Sequence, residues 1–554
     1  MRKTCFRLLA AICAIFTATT ALSQDAGTGG SSGENISSMY SRAGNPAGRV
    51  NLGDGSESID TFSGLLQYSY RDTVIPGDGG FDLPIIRRYA NLQHQAQDST
   101  NRVFGQRWDI HFGRIKSNAL NANLTQAFCP SALYLDGNFS PAFQAPDGTT
   151  HPIYTADPSF PGASTGVTRQ LHRVTCNDDG TILVESSNGT KYFFGKQRYL
   201  KNGTGLQFPE AIVNEDQRVE YEDFLYATRI EDRNGNAFDI DYTLVWSSNG
   251  FANSPVFTID RVRQGSRIAA EFTYDVAPGE LTNQTSETPN LILRELKVGD
   301  HVLEYTYENV FSGDTSRRFL LNNLTAVSIA TGSAQGAPSI DYSYEYYPTS
   351  EQDGVVIWQI DDANAGNLKT LTNRFGGTTT YDYQWIASPN GDPFNGVRAI
   401  NSKTESGLGT WTYAFEQGAQ NDGFDRTTVV GPENIRTEYK YCNLTLIANE
   451  CDQQVGYLVE RKVFDGNDSL PLEVETYEWR LISTAQITNQ TERIFAFGNH
   501  SPFNNGFRFT VFPRVLVHTA TTRENVVVSN SRYSFDEFAN AGTELELQGN
   551  SPIP

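Results

Sequence analysis

Methionine and helical periodicity are nearly absent from this chain. Its 554 residues include only 2 Met, and no long segment places apolar residues at helical spacing. Aromatic residues make up 12% and Gly numbers 48, a composition typical of β-proteins. We therefore expect very little helix. The length favours two or more modules over a single core.

Basic clusters are also missing. The chain carries 43 Lys and Arg against 64 Asp and Glu, for a net charge of −21. An acidic surface of that size repels phosphate backbones, so we expect no nucleic-acid partner. Hydrophobic residues make up 38% of the chain and charged residues 19%. This composition is too apolar for a chain that is disordered throughout.

Long apolar runs occur only at the N-terminus. Residues 1–23 combine a basic start with "LLAAICAIFTATTA" and a small-residue "ALS" site, the pattern of a secretory signal peptide. A membrane anchor is the alternative, but the run is short for a span. Residues 24–48 are Gly/Ser-rich and predict a flexible linker. We expect a secreted, extracellular or cell-envelope protein without a membrane span after signal removal.

Cysteine is sparse. Two of the six cysteines leave with the signal, and an even number remains, which in an exported chain favours two structural disulfides. Only the short "NLTLIANE" segment separates the last two cysteines, so a local bridge is natural there, and the other pair follows by elimination. Four cysteines nevertheless allow three pairings. The remaining cysteines are Cys129, Cys176, Cys442 and Cys451.

Motifs of known chemistry are missing or incomplete. "GASTG" surrounds Ser164 with the G-x-S-x-G spacing but lacks the flanking strand and helix that a nucleophile requires. The run from Asp232 resembles a calcium loop, but Ala237 replaces its Gly and Thr243 its closing Glu. A turn is the better interpretation, with a weak surface Ca²⁺ site left open.

The seven histidines are scattered, and no H-E-x-x-H motif or phosphate-binding glycine loop occurs. No pair among the many carboxylates can be singled out as a glycosidase pair. We therefore assign no catalytic, cofactor-binding or metal-ligating residue, and expect that the protein is not an enzyme.

The sequence instead predicts a succession of β-strands. "TILVESS", "NGT" and "KYFFG" predict a hairpin with Asn-Gly at its turn. "LLQYSYRDTVI" alternates in polarity, and "FDLPIIRRYA" follows it after "GDGG".

A longer pattern repeats from about residue 229 onward. In "NRFGGTTTYDYQW", at 373–385, a Gly turn leads into a strand with two Tyr one residue apart. Similar units recur every 30 to 40 residues or so, as expected of a repeat architecture. Residues two apart on a strand share a face, so the rings predict a cross-strand ladder. The alternative to a packed ladder is that these rings form a platform on which sugars stack. The repeat aromatics are Tyr242, Tyr307, Tyr344, Tyr381, Tyr383, Tyr413, Tyr441 and Tyr477.

These segments resemble the N-terminal part of RHS/YD-repeat proteins. The resemblance begins with "TFSGLLQYSYRDTVIPGDGGFDLPIIRRYA" and "FGQRWDIHFGRI", continues through "IEDRNGNAFDIDY", and covers roughly 49–545. It implies an all-β fold in which antiparallel hairpin repeats form an elongated, curved sheet or partial shell. We expect a β-rich module at 49–220 and a degenerate, truncated YD array at 221–554.

Two functions follow from the resemblance. In toxin-type members the shell encloses a C-terminal effector, so the first is a toxin-delivery container without catalysis of its own. The paired Asp-Pro-x-Gly box of that family does not occur before the chain ends at "YSFDEFANAGTELELQGNSPIP". The chain is then either a fragment of a longer protein or a short member that only binds. The second function is accordingly that of an extracellular or cell-surface adhesion protein that recognises glycan or protein through an aromatic β-surface.

Overall fold

The structure is a computed structural model, and its strands fall into three main sheets. Within the described residues, the only helical element is a single 3-10 turn at Asp78–Gly80. The structure describes residues 50–52, 55–91, 103–117, 142–146, 149–155, 166–168, 172–177, 181–194, 223–248, 253–276, 291–309, 322–331, 339–348, 351–352, 355–356, 363–364, 366–386, 397–416, 424–442, 458–481, 514–523, 526–535, 541–548 and 551–552.

The opening sheet contains five antiparallel strands in chain order. In its third strand, "LQYSYRDTVI", side chains alternate between buried and more exposed positions, as the sequence pattern predicts. The strands are β1 (Val50–Leu52), β2 (Gly55–Ile59), β3 (Leu66–Ile75), β4 (Leu83–Ala90) and β5 (Trp108–Ile110).

A small second sheet has the order β14-β6-β7-β8. It contributes Ile115, Phe143 and Leu225 to a separate apolar cluster. Its strands are β6 (Arg114–Ser117), β7 (Ala142–Gln144), β8 (Thr150–Pro152) and β14 (Asp223–Tyr226).

The third sheet, called here the repeat sheet, takes up most of the chain. Successive strands pair antiparallel in chain order, skipping only β14 and the short pair β23–β24. The first strands are β9 (Tyr154–Thr155), β10 (Gly166–Val167), β11 (Arg173–Cys176), β12 (Ile182–Glu185), β13 (Lys191–Phe194), β15 (Arg229–Glu231), β16 (Ala237–Ser248), β17 (Asn253–Gln264), β18 (Arg267–Val276), β19 (Leu291–Val298), β20 (His301–Asn309), β21 (Asn322–Thr331) and β22 (Ser339–Tyr346).

The remaining strands continue the same order. They are β23 (Glu351–Gln352) and β24 (Val355–Val356) of the separate pair, then β25 (Leu368–Asn373), β26 (Thr378–Ile386), β27 (Val397–Glu405), β28 (Gly409–Glu416), β29 (Phe424–Val430), β30 (Ile435–Cys442), β31 (Leu458–Asp465), β32 (Glu473–Leu481), β33 (Arg514–Arg523), β34 (Val526–Phe535), β35 (Ala541–Gln548) and β36 (Ser551–Pro552).

The fold class predicted from sequence is confirmed: the protein is all-β and built from antiparallel hairpins, with a β-rich N-terminal module. The Asn-Gly hairpin forms as expected, with Ile182 opposite Phe194 and Gly189 at φ +87° in the turn. The sheet continues across residue 220, because β13 pairs with β15. The module boundaries themselves stay a prediction.

Candidate functional site

The repeat tyrosines lie on one face of the repeat sheet, called here the tyrosine face. Tyr381 is 1% and Tyr383 4% exposed, and neighbouring rings pack in parallel, as in the Tyr342–Tyr344 pair. Such buried rings are not available to a sugar. Of the predicted aromatics, Tyr344, Tyr381, Tyr383, Tyr413 and Tyr441 are buried, whereas Tyr242, Tyr307 and Tyr477 are partly buried.

A β-bulge directly precedes one tyrosine of many repeats. The strand register shifts just before Tyr242, Tyr274, Tyr346 and Tyr383. Each of these hydroxyls then donates to a main-chain carbonyl earlier in the chain, and Tyr383 does so to Leu368 at 2.8 Å. The second aromatic therefore fixes its bulge to an earlier part of the chain.

The opening sheet lies across the tyrosine face. A fully extended chain from Thr61 to Asp78 spans at most about 56 Å, and the width of the repeat sheet from β17 to β30, measured across the strands, is about 53 Å. Because Thr61 contacts Tyr441 and Asp78 contacts Gln264, β3 must run across these strands. The contacts follow the order Phe81 to Phe238, Phe112 to Phe272, Tyr70 to Tyr342, Trp108 to Tyr344, Tyr89 to Leu368, Glu57 to Tyr381, and Phe62 to Tyr441.

A buried ion pair lies in the middle of the contact between the opening sheet and the tyrosine face, called here the seam. Arg87 Nη2 is 3.0 Å from Asp72 Oδ1, with the two side chains 1% and 0% exposed. Asp72 is the extra residue of a bulge between β3 and β4, and it accepts a 2.8 Å hydrogen bond from Tyr305 of the repeat sheet. The Arg87 guanidinium also lies 4.9 Å from the centre of the Trp108 ring and 5.2 Å from that of Tyr344.

Burial and charge act against each other in this pair. Burial raises the pKa of Asp72, while the Arg87 cation and the Tyr305 hydroxyl oppose that rise. Burial by itself lowers the pKa of Arg87, but the Asp72 carboxylate and the surrounding tyrosines raise it overall. The guanidinium therefore stays charged inside an aromatic cage.

A second buried charge cluster joins β2 to β27. Lys403 replaces an aromatic residue in the cross-strand row between Tyr381 and Trp411. Its Nζ lies 2.5 Å from Glu57 Oε1 and also contacts Glu405, while the Tyr381 hydroxyl donates to Glu57. Burial by itself lowers the pKa of Lys403, but Glu57 and Glu405 raise it overall.

The loop between β2 and β3 closes the far end of the seam. Asp60 accepts hydrogen bonds from the Phe62 amide at 3.1 Å and the Ser63 hydroxyl at 2.5 Å. Burial raises the pKa of Asp60 to about 6, against these hydrogen bonds. The carbonyl oxygen of Gly64, a residue at φ +73°, accepts a 2.8 Å hydrogen bond from the Ile400 amide.

Two histidines that are remote in sequence meet beside the small sheet. The rings of His151 and His172 lie 4.7 Å apart, centre to centre. Thr149 Oγ1 is 2.8 Å from His151 Nε2, and Thr168 Oγ1 is 2.9 Å from His172 Nδ1. Sequence reasoning missed this pair because it considered only helical spacing, whereas His151 lies in β8 of the small sheet and His172 directly precedes β11 of the repeat sheet.

The other predicted features divide between described and undescribed residues. Ser164, Cys129 and Cys451 lie outside the described residues, so the disulfide pairing stays a prediction; Cys176 and Cys442 are each disulfide-bonded. Asp232 opens a tight turn, where its carboxylate accepts the amide protons of Asn234 and Asn236.

Two further features are absent from the described residues. No three His, Cys, Asp or Glu side chains cluster there as potential metal ligands. In the same part of the chain, no helix has the length and apolarity needed to cross a membrane.

Comparison with known proteins identifies the fold. No family model and no curated protein matches the sequence. The crystal structure of TcdB2-TccC3 aligns with 90% of this chain at TM-score 0.51 and 9% identity. The form without its hypervariable C-terminal region aligns with 90% at TM-score 0.50 and 9% identity. The fold is β-rich and RHS-like.

This chain spans less than half the length of those structures, 45% and 44% respectively. A third alignment is to the Tc holotoxin pore of Photorhabdus luminescens, with a mutation in TccC3. It covers 92% of this chain and 26% of that one, with 11% identity. Its TM-score of 0.34 does not establish a shared fold.

Proposed function

We propose that this protein is the exported N-terminal shell portion of an RHS/YD-repeat toxin-delivery protein. In this role it is a structural container with no catalytic turnover of its own. An effector encoded further along the same reading frame is the partner that the shell encloses. The N-terminal signal directs the chain out of the cytoplasm, to the extracellular space or the cell envelope.

One observation carries the proposal: nearly the whole chain follows the fold of TcdB2-TccC3 while spanning less than half of its length. Those structures therefore contain a further portion that has no counterpart in this chain. The second of them is described as lacking a hypervariable C-terminal region. A variable region behind a constant β-shell is the arrangement expected of a container with interchangeable cargo.

The alternative, an aromatic surface for glycan or protein, has weaker support. The opening sheet covers the tyrosine face from β17 to β30, and the rings beneath it are buried. A stacking platform needs exposed rings that a sugar can approach. The tyrosines that suggested a platform therefore act mainly as packing groups.

The test is the intact mass of the natural exported product in its native host. We expect a product much heavier than 61.4 kDa, or a shell that co-purifies with a separate C-terminal polypeptide. A product that corresponds to this chain alone, with no associated polypeptide after gentle isolation, would overturn the container and turn attention to surface binding.

A further inference from the structure

We propose that Lys403 and Glu57 join in a side-chain amide bond that covalently links the repeat sheet to the opening sheet. Nζ lies 2.5 Å from Oε1, the oxygen bonded to the carboxyl carbon that it would attack. The two residues are 346 positions apart in the chain, so the bond would close a very large loop. This inference does not depend on the proposed function.

The burial of the pair separates it from ordinary ion pairs. The Lys403 and Glu57 side chains are 5% and 3% exposed, and among the described residues for which side-chain burial is defined, Lys403 is the only buried lysine. Its ammonium lies 5.2 Å from the centre of the Trp411 ring. Glu57 and Glu405 raise the pKa of Lys403 overall, so the charged pair is the resting form, and the reaction requires one proton to cross the 2.5 Å contact from Nζ to the carboxylate. That transfer produces the reactive pair, an amine and a carboxylic acid.

Two neighbouring groups supply what the reaction needs. Glu405 contacts Nζ and can accept a proton from the attacking nitrogen. The Tyr381 hydroxyl donates a hydrogen bond to Glu57 Oε2, where negative charge develops when nitrogen adds to the carboxyl carbon. Tyr381 and Lys403 are direct cross-strand partners, so the sheet itself holds this donor in place.

The step balances without an oxidant or a second substrate. The Nζ lone pair attacks Cδ of the protonated Glu57 carboxyl group, and a C–N bond forms. Glu405 transfers the proton lost by nitrogen to the departing hydroxyl, the C–O bond breaks, and one water molecule leaves. Fixed proximity replaces a bimolecular encounter, and effective molarities for such pairs reach about 10⁵ M or more. Each protein molecule reacts once, so this is not turnover.

The test is mass spectrometry of the full exported chain after denaturation and reduction. We expect a mass lower than the calculated one by one water molecule, and a tryptic peptide that contains both Glu57 and Lys403. Trypsin should fail to cut after Lys403. Lys462 is an internal control, because it lies 2.7 Å from Glu460 with the two side chains 34% and 28% exposed. Trypsin should cut there normally.

Two variants refine the result. Lys403→Arg keeps a cation but cannot form this bond, so it should have the full calculated mass. Glu405→Gln removes the proton acceptor and should slow bond formation by about 100-fold, leaving freshly made protein mostly unlinked. The full calculated mass in wild-type protein, with Lys403 cut by trypsin, overturns the proposal. That measurement decides even if a variant fails to fold.

Discussion

The Arg87–Asp72 pair gives the sharpest test of how the two sheets are held together. In Asp72→Asn, the Tyr305 hydroxyl keeps an acceptor but Arg87 loses its only described carboxylate partner. An unpaired charge left in a buried site costs about 3 to 5 kcal/mol. Because aromatic rings surround the guanidinium, and each cation–π contact is worth about 0.5 to 2 kcal/mol, we expect the lower end of that range.

A matched control is available on the surface. Arg436 Nε lies 3.2 Å from Glu438, and its guanidinium lies 4.2 Å from the centre of the Phe464 ring. The Arg436 and Glu438 side chains are 23% and 42% exposed, so Glu438→Gln should cost less than about 1 kcal/mol. The two variants thus differ chiefly in burial.

The assay is urea unfolding followed by tryptophan fluorescence, since Trp108 lies against Arg87. The double variant Asp72→Asn/Arg87→Met removes both charges and should recover most of the lost free energy of unfolding. A cost for Asp72→Asn no larger than that for Glu438→Gln would show that burial does not strengthen this pair. A double variant less stable than Asp72→Asn would show that an unpaired Arg87 charge is not the source of the loss.

Three further predictions concern the seam and the bulges. Tyr383→Phe should lower the free energy of unfolding by about 1 kcal/mol and Tyr383→Ala by about 3 to 5 kcal/mol. Unchanged stability in Tyr383→Phe would exclude a role for the hydroxyl, and equal losses in the two variants would exclude a packing role for the ring. At Gly64 a Cβ would lie 2.2 Å from Ala399 Cβ, so Gly64→Ala should cost about 1 to 3 kcal/mol more than Gly80→Ala. Gly80 is the control because it has a similar φ of +78° and open space. Burial raises the folded pKa of Asp60 from 3.8 to about 6, so its ionisation destabilises the fold as pH rises through that window. The difference in free energy of unfolding between Asp60→Asn and wild type, measured by urea unfolding, should therefore shift in favour of the variant by about 3 kcal/mol as the pH rises from about 3.5 to about 7. A pH-independent difference would contradict the raised pKa of Asp60.

Local sequence patterns specify the individual strands and hairpins. Period-two alternation gave β3 and β4, and the Asn-Gly turn gave the hairpin that ends at Phe194, because both signals arise within a few residues. The scarcity of helix followed from the lack of helical spacing. The repeat pattern also predicted that tyrosines share a face, since residues two apart on a strand point the same way.

Contacts between the opening sheet and the repeat sheet depend on the tertiary structure. No local pattern places Glu57 beside Lys403 or Tyr305 beside Asp72, because these contacts join positions hundreds of residues apart. The bulges were equally hidden, although each precedes an aromatic whose hydroxyl reaches an earlier carbonyl. Burial of the tyrosine face, and with it the change from possible platform to packing surface, depends on the opening sheet crossing the repeats. Local propensity specifies each hairpin, but only the folded chain sets the hydrophobic and ionic contacts between sheets.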